Sequence, residues 1–100
     1  MSDLVKLAEV EVMRREVLEL CYASAPLGCS KQVLEVSIRK MGIDTADLDK
    51  QLYYMVEKSL LKVEHAGNPR LGIHRDVYSI TAVGMDYLDG NGAEIPGMGG

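Results

Sequence analysis

Residues 48–64, LDKQLYYMVEKSLLKVE, decide the fold, because the spacing of apolar side chains changes within them. The first part repeats apolar residues at the spacing of one helix face, at Leu48, Leu52, Met55 and Val56. The second part alternates apolar and charged residues, as Leu61, Lys62 and Val63 do, which is typical of a half-buried strand. The stretch therefore predicts a helix that runs almost directly into a strand.

A first helix is predicted over residues 3–24, which contain no Gly or Pro. One face of this helix carries Val10, Met13, Val17, Leu20 and Ser24. Pro26 and Gly28 then interrupt the pattern, and the helix is expected to end before them.

A second helix is predicted over residues 31–41, KQVLEVSIRKM, with Ser30 as its N-cap and Gly42 at its end. Its buried stripe is expected to contain Leu34, Ile38 and Met41, widened by Val33 and Val36. Asp44 or Thr45 can cap the third helix. Helices two and three are joined by a short turn, which makes them a helix-turn-helix candidate.

Two strands and a last helix are predicted after the third helix. Residues 60–66 and 76–81 are rich in strand formers. Residues 67–75, GNPRLGIHR, contain two Gly and a Pro and predict an extended hairpin loop between the strands. Thr81 can cap a short helix over residues 82–89.

The predicted fold is α+β, mainly α with a small two-stranded β-hairpin. Residues 10–90 form the domain, and residues 1–9 form a helical extension. The extension is distinguished by the stripe of Val5, Ala8 and Val12, which is rotated by roughly 80° from the main face of the first helix. Residues 91–100 are rich in Gly and are expected to be a disordered tail.

Composition restricts the classes of protein that remain. The chain has 100 residues, of which 47% are hydrophobic and 26% charged, and this balance is ordinary for one folded, soluble domain. No apolar run approaches the roughly 20 residues of a membrane helix, and the N-terminus does not resemble a signal peptide, so we expect a cytoplasmic protein. The net charge of −4 argues weakly against a nucleic-acid partner, although the distribution of charge matters more than its sum.

Catalytic and metal-binding patterns are not found in the sequence. Cys21 and Cys29 have neither the number nor the spacing of a disulfide framework or a zinc site, and Cys21 falls beside the apolar face of the first helix. Asp47 and Asp49 point apart on a helix and cannot act as a pair. We therefore predict a protein that is not an enzyme and that binds no metal or cofactor.

The order of elements and two local motifs resemble the winged helix-turn-helix family of DNA-binding domains. Residues 48–64 resemble the passage from the third helix into the first wing strand, with the family's apolar and turn positions at Leu52, Met55, Ser59, Leu60 and Leu61. Residues 78–84, YSITAVG, resemble the motif that closes the wing and opens the last helix. The resemblance covers residues 10–90. Residues 80–100 more faintly resemble small winged-helix proteins of Mu-like bacteriophages and prophages.

One position departs from the family pattern. The family usually has Gly after the third helix, where the chain passes through a left-handed conformation, and this chain has Ser59. Because a side chain is disfavoured in that conformation, we expect the end of the helix to be shaped differently.

The resemblance implies two DNA-binding surfaces, the third helix and the wing. The outward positions of the third helix are expected to be Asp47, Asp49, Lys50, Gln51, Tyr53, Tyr54, Glu57 and Lys58. Lys50 and Gln51 are expected to read base edges, and Tyr54, with Tyr53 beside it, to contact a phosphate. The acids of the first turn, Asp44, Asp47 and Asp49, more simply complement the helix dipole.

The remaining basic residues are expected on the wing and the first helix. Arg70, His74 and Arg75 form a basic cluster on the wing that is opposed only by Asp76 and is placed to contact phosphates. Arg14 and Arg15 form either a solvated patch or a contact with the DNA backbone.

Two functions follow from these patterns. The first is a small DNA-binding transcriptional regulator, of phage or prophage origin, that binds double-stranded DNA as a homodimer because one copy has few basic residues. The alternative is a protein-interaction module that does not bind DNA. It would dock a protein partner through Tyr53 and Tyr54 and through the stripe of Val5, Ala8 and Val12.

Overall fold

The computed structural model describes residues 2–90, and within this range the chain forms four α-helices and a three-stranded antiparallel sheet. The helices are α1 (Ser2–Ala23), α2 (Lys31–Lys40), α3 (Leu48–Glu57) and α4 (Ala82–Leu88), and the strands are β1 (Cys29–Ser30), β2 (Leu61–Asn68) and β3 (Ile73–Ile80). The α+β class is therefore confirmed. No helix in the described range is long and apolar enough to cross a membrane. The predicted disordered tail lies outside the described residues.

Helix α1 packs against α2, α3, α4 and β3. Its fully buried side chains are Met13, Val17, Leu18 and Cys21. Met13 and Val17 were predicted to be in the core, whereas Val10, Leu20 and Ser24 are only half-buried. Because α1 has neighbours on several sides, its buried face is broader than one stripe and is rotated towards Leu18.

Helix α2 begins as predicted, since the hydroxyl of Ser30 accepts a hydrogen bond of 3.3 Å from the backbone N–H of Val33. Leu34 and Ile38 are buried, as expected from their spacing of one turn. The prediction that Met41, Val33 and Val36 complete the buried stripe is wrong, because these three side chains are exposed. The stripe of α2 that faces the core is therefore narrower than predicted.

Helix α3 starts later than predicted. Its N-cap position is Asp47, not Asp44 or Thr45. The carboxylate of Asp44 instead accepts a hydrogen bond of 2.9 Å from the N–H of Ala46, which forms a turn before the helix. The predicted core residues Leu48, Leu52 and Met55 are fully buried, and Val56 is half-buried.

The sheet has the order β1, β3, β2, so a third strand joins the predicted hairpin. Strands β2 and β3 pair from Leu61 opposite Ile80 to Asn68 opposite Ile73. The prediction of a long loop over residues 67–75 is therefore wrong. The tip is only a short 3-10 turn, in which the side chain of Asn68 accepts a hydrogen bond of 3.0 Å from the N–H of Arg70. Gly72, with φ of +69°, then returns the chain.

The corner between α3 and β2 keeps the backbone shape that the winged-helix pattern usually assigns to Gly. Ser59 has φ of +64°, so the expectation of a differently shaped helix end is wrong. The hydroxyl of Thr81 donates to the carbonyl of Ser59 and lies 3.1 Å from that of Leu60. Thr81 also accepts a hydrogen bond of 3.0 Å from the N–H of Gly84 and so caps α4 as predicted. These bonds offset the cost of a left-handed Ser.

Candidate nucleic-acid interface

The outward surface of α3 is divided into two sides of opposite charge. The side next to α1 carries Lys50, Tyr54 and Lys58, and we call it the basic side. The side next to the β2–β3 hairpin carries Asp49, Tyr53 and Glu57, and we call it the acidic side. Residues four apart share a helix face, so each charge type is repeated along its own side. The predicted outward positions are thus separated rather than mixed.

Helix α1 adds a cation to the basic side. The guanidinium of Arg14 lies 4.1 Å from the centre of the Tyr54 ring, and the ammonium of Lys58 lies 5.7 Å from the same centre. Both distances fall within the range of cation–π attraction, which is worth about 0.5–1 kcal/mol at exposed sites. Tyr54, half-buried, therefore holds two cations at the surface.

A buried glutamine fixes the position of Arg14. The side-chain oxygen of Gln51 accepts a hydrogen bond of 2.7 Å from Nε of Arg14, and its amide nitrogen donates to the carboxylate of Asp47 over 3.2 Å. Gln51 is only 4% exposed, so the prediction that it faces outward and reads bases is wrong. Because α1 covers this edge of α3, Gln51 contacts α1 instead of solvent.

The two arginines of α1 have different environments. Arg14 is half-buried, so the expectation of a solvated patch is wrong for this residue. Arg15 is exposed and lies 3.8 Å from the carboxylate of Glu19, one turn along the same helix. The basic side therefore receives Arg14, and Arg15 points away from the core into solvent.

The acidic side is partly neutralised by α2. The ammonium of Lys31 lies 2.6 Å from a carboxylate oxygen of Asp49, and this hydrogen bond raises the pKa of Lys31. Tyr53 is 69% exposed. Asp49 occupies the first turn of α3, as the helix-dipole interpretation requires, but Asp47 makes no side-chain cap and bonds Gln51 instead.

The predicted cluster of cations on the hairpin is split. Successive side chains of a strand point to opposite faces, so His74 and Arg75 face opposite ways, and Arg70 lies at the tip. All three are exposed. Asp76 does not oppose Arg75, because its carboxylate lies 2.7 Å from Nδ1 of His65 across the sheet. The cluster prediction is wrong because His74 and Arg75 belong to the paired strand β3, while Arg70 lies in the 3-10 turn at the tip. The pair with His65 was missed because it depends on the register.

The predicted partner-binding stripe lies on the N-terminal half of α1. Val5, Ala8 and Val12 are exposed, and Leu4 and Leu7 beside them are also exposed. Five apolar side chains are thus available to solvent along one end of the longest helix.

The cysteines belong to the core. Cys21 and Cys29 are buried and unbonded to each other. Burial, with the nearby Cys29 adding to it, raises the pKa of the Cys21 thiol to about 12. Because Cys21 is fully buried within the hydrophobic core, the prediction of a core role for this residue is confirmed.

Comparisons with protein-family models, curated proteins and solved structures find no match. The winged-helix resemblance of residues 10–90 therefore stays a prediction, and the function is argued from the charges and contacts of the described residues.

Proposed function

We propose that this protein is a winged-helix DNA-binding regulator that contacts duplex DNA through the basic side of α3 and the tip of the hairpin. The order of helices followed by a hairpin and a last helix is compatible with a winged-helix layout. The fainter likeness to proteins of Mu-like phages adds a phage or prophage origin to the proposal.

The observation that carries the proposal is the fixed position of Arg14 over the ring of Tyr54, which Lys58 also approaches. Binding normally costs entropy when long cationic side chains become ordered. The hydrogen bond to Gln51 and the ring of Tyr54 hold Arg14 in place before any ligand arrives. An ordered guanidinium with the ammonium group of Lys58 at the same ring suits phosphate oxygens, because charged hydrogen bonds to phosphate are strong and directional.

The acidic side limits how the DNA lies. Asp49 and Glu57 would repel phosphates beside the paired part of the hairpin, so the duplex is expected to lie over the basic side of α3 and to meet the hairpin only at its tip. Arg70, exposed at the tip, supplies a further backbone contact. With so few cations, one copy binds weakly, and a dimer would double the number of phosphate contacts.

The test is a salt titration of binding to a labelled random duplex, followed by fluorescence anisotropy. We expect binding at about 50 mM salt and a slope that falls by about two units when Lys50 and Lys58 are both replaced by Ala. The matched control replaces Lys40 and Lys62, two exposed lysines outside the basic side, by Ala. No binding at low salt, or equal slopes in the two double variants, would refute the proposal.

A second function is favoured by the exposed apolar stripe of α1. Val5, Ala8 and Val12, together with Leu4 and Leu7, offer the kind of surface that protein partners cover. In this alternative the domain docks a protein and does not bind DNA. Light scattering of the full chain tests self-association through the stripe, and Val5→Glu with Val12→Glu should return a dimer to the monomer. If the chain is a monomer at every concentration, a second copy of the chain is excluded as the partner of the stripe.

A further inference from the structure

A cleft of about 490 Å³ separates the acidic side of α3 from the hairpin. Its apolar lining consists of Val56 on α3, Val63 on β2 and the ring of Tyr78 on β3. All three side chains are half-buried, so the lining is shielded without being closed. Its apolar lining suits the stem of a long side chain from a ligand.

Carboxylates surround this lining. Asp49 bonds Lys31 at one end of the cleft, and Asp76 bonds His65 at the other. Glu57 lies on the rim and is exposed, and within residues 4–90 it forms no ion pair. The carboxylates therefore outnumber the one ammonium group, and Glu57 is available to an incoming cation.

The pKa of the Tyr78 phenol is affected by the same carboxylates. Burial raises the pKa of Tyr78, and the charges of Asp76 and Asp49 raise it further, while Lys31 lowers it. Both acids thus act on a group in the lining of the cleft, although each has a cationic or imidazole partner. A positive ligand is favoured in such a field and an anion is disfavoured.

We infer that this cleft binds an arginine side chain presented by a basic segment of a protein partner. The aliphatic stem of arginine would cover Val56 and Val63, and the flat guanidinium would stack on the exposed ring of Tyr53 and donate to the carboxylate of Glu57. Arginine fits this combination better than lysine, because only its planar group can both stack on a ring and form a forked hydrogen bond.

Residues 91–100 do not supply the arginine, because they contain Glu94 and no Lys or Arg. The occupant is therefore assigned to a protein partner. A nucleic acid is also a poor occupant, because its phosphates would face the same carboxylates. The inference does not rest on DNA binding, since it uses the acidic side of α3 and not the basic side.

The test uses the full chain and two fluorescein-labelled peptides, measured by anisotropy. One peptide carries two arginines flanked by leucines, and in the other both arginines are citrulline, which has the same shape without the charge. We expect the arginine peptide to bind at least about 10-fold more tightly than the citrulline peptide, as the loss of a charged hydrogen bond implies.

Paired variants locate the binding. Glu57→Gln should weaken the arginine peptide about 10-fold, whereas Glu64→Gln, the same change on the opposite face of β2, should leave its affinity unchanged. Amide shifts in NMR spectra should centre on Val56, Val63 and Tyr78. Absent binding, equal affinity for the two peptides, an equal effect of the two glutamate variants, or shifts confined to α1 would each overturn the inference. Glu57→Gln should not weaken duplex binding, so failure of one proposal is distinguishable from failure of the other.

Discussion

The two sides of α3 differ in charge although their residues alternate within the helix and its C-cap Lys58. The basic side holds Tyr54 between two cations, and the acidic side leaves Tyr53 exposed beside carboxylates. Neighbouring residues of a helix are about 100° apart, so adjacent tyrosines come to lie in opposite fields. The comparison teaches that the charge summed along a helix conceals what each side can bind.

The largest effect is expected from a substitution in the hydrophobic core that lies beneath both sides of α3. Leu52, on the inner face of α3, is fully buried. Leu52→Ala should lower the free energy of unfolding by about 2–5 kcal/mol, because it leaves a cavity. Urea denaturation followed by circular dichroism measures the change. Tyr53→Ala alters the exposed neighbour and should change stability by no more than about 0.5 kcal/mol. Equal losses in the two variants would contradict the described core.

A smaller effect is expected from the residue that supports only the basic side. Gln51→Met keeps the volume but removes the hydrogen bonds to Arg14 and Asp47, and should cost about 1–2 kcal/mol of stability. The Nε–Hε signal of Arg14 in NMR spectra should lose its protection from exchange with water.

The control is Gln32→Met, which makes the same replacement at an exposed position of α2. Gln32→Met should leave the free energy of unfolding, measured in urea, almost unchanged, and it should leave the Arg14 signal unchanged. If Gln51→Met leaves that signal protected as well, then Gln51 does not hold Arg14.

The elements that the sequence predicted best are those defined by local patterns. The 3.6-residue period and the caps Ser30 and Thr81 depend only on neighbouring residues, and they were confirmed. Strand β1 is two residues long and has no period of its own, so only its pairing with β3 reveals it. The hairpin tip was misread because Gly67 suggested a loop, whereas the strand continues through it.

The candidate interface was predictable in part, for the same reason. Lys50, Tyr53 and Glu57 face outward as the helical period requires. The burial of Gln51 does not follow from the helical period, because a glutamine at the edge of a helix face is buried only if another element covers it. Arg14 is 37 residues away in sequence, and no local pattern links it to Gln51.

Reversing the charge of Glu57 should make the acidic side of α3 resemble the basic side in its attraction for phosphates. Glu57→Lys is expected to strengthen duplex binding a few-fold at about 100 mM salt and to steepen the salt slope by about one unit, because it adds a phosphate contact. Glu64→Lys makes the same change on the opposite face of β2 and should have little effect on the slope. A steeper slope in both variants would mean that total charge governs binding and not its position.

The smallest effect is expected at alkaline pH, in the cleft that borders the acidic side. Burial and the charges of Asp76 and Asp49 raise the pKa of Tyr78 above the ordinary value of 10.0. Below that pH the phenol is protonated in both the folded and unfolded states. Above it the unfolded chain releases the proton first, so the contribution of Tyr78 to stability is lost as the pH rises through the folded pKa.

Tyr78→Phe removes this ionisation, and the variant should lose less stability than the wild type between about pH 9 and pH 11. Cys21 also has a raised pKa and destabilises both proteins in this range, so the difference between their urea midpoints isolates Tyr78. Tyr53→Phe, at an exposed tyrosine of the same cleft, is the matched control for the loss of a phenol hydroxyl. Parallel curves for wild type and Tyr78→Phe would show that burial and the carboxylates of Asp76 and Asp49 do not raise the pKa of Tyr78.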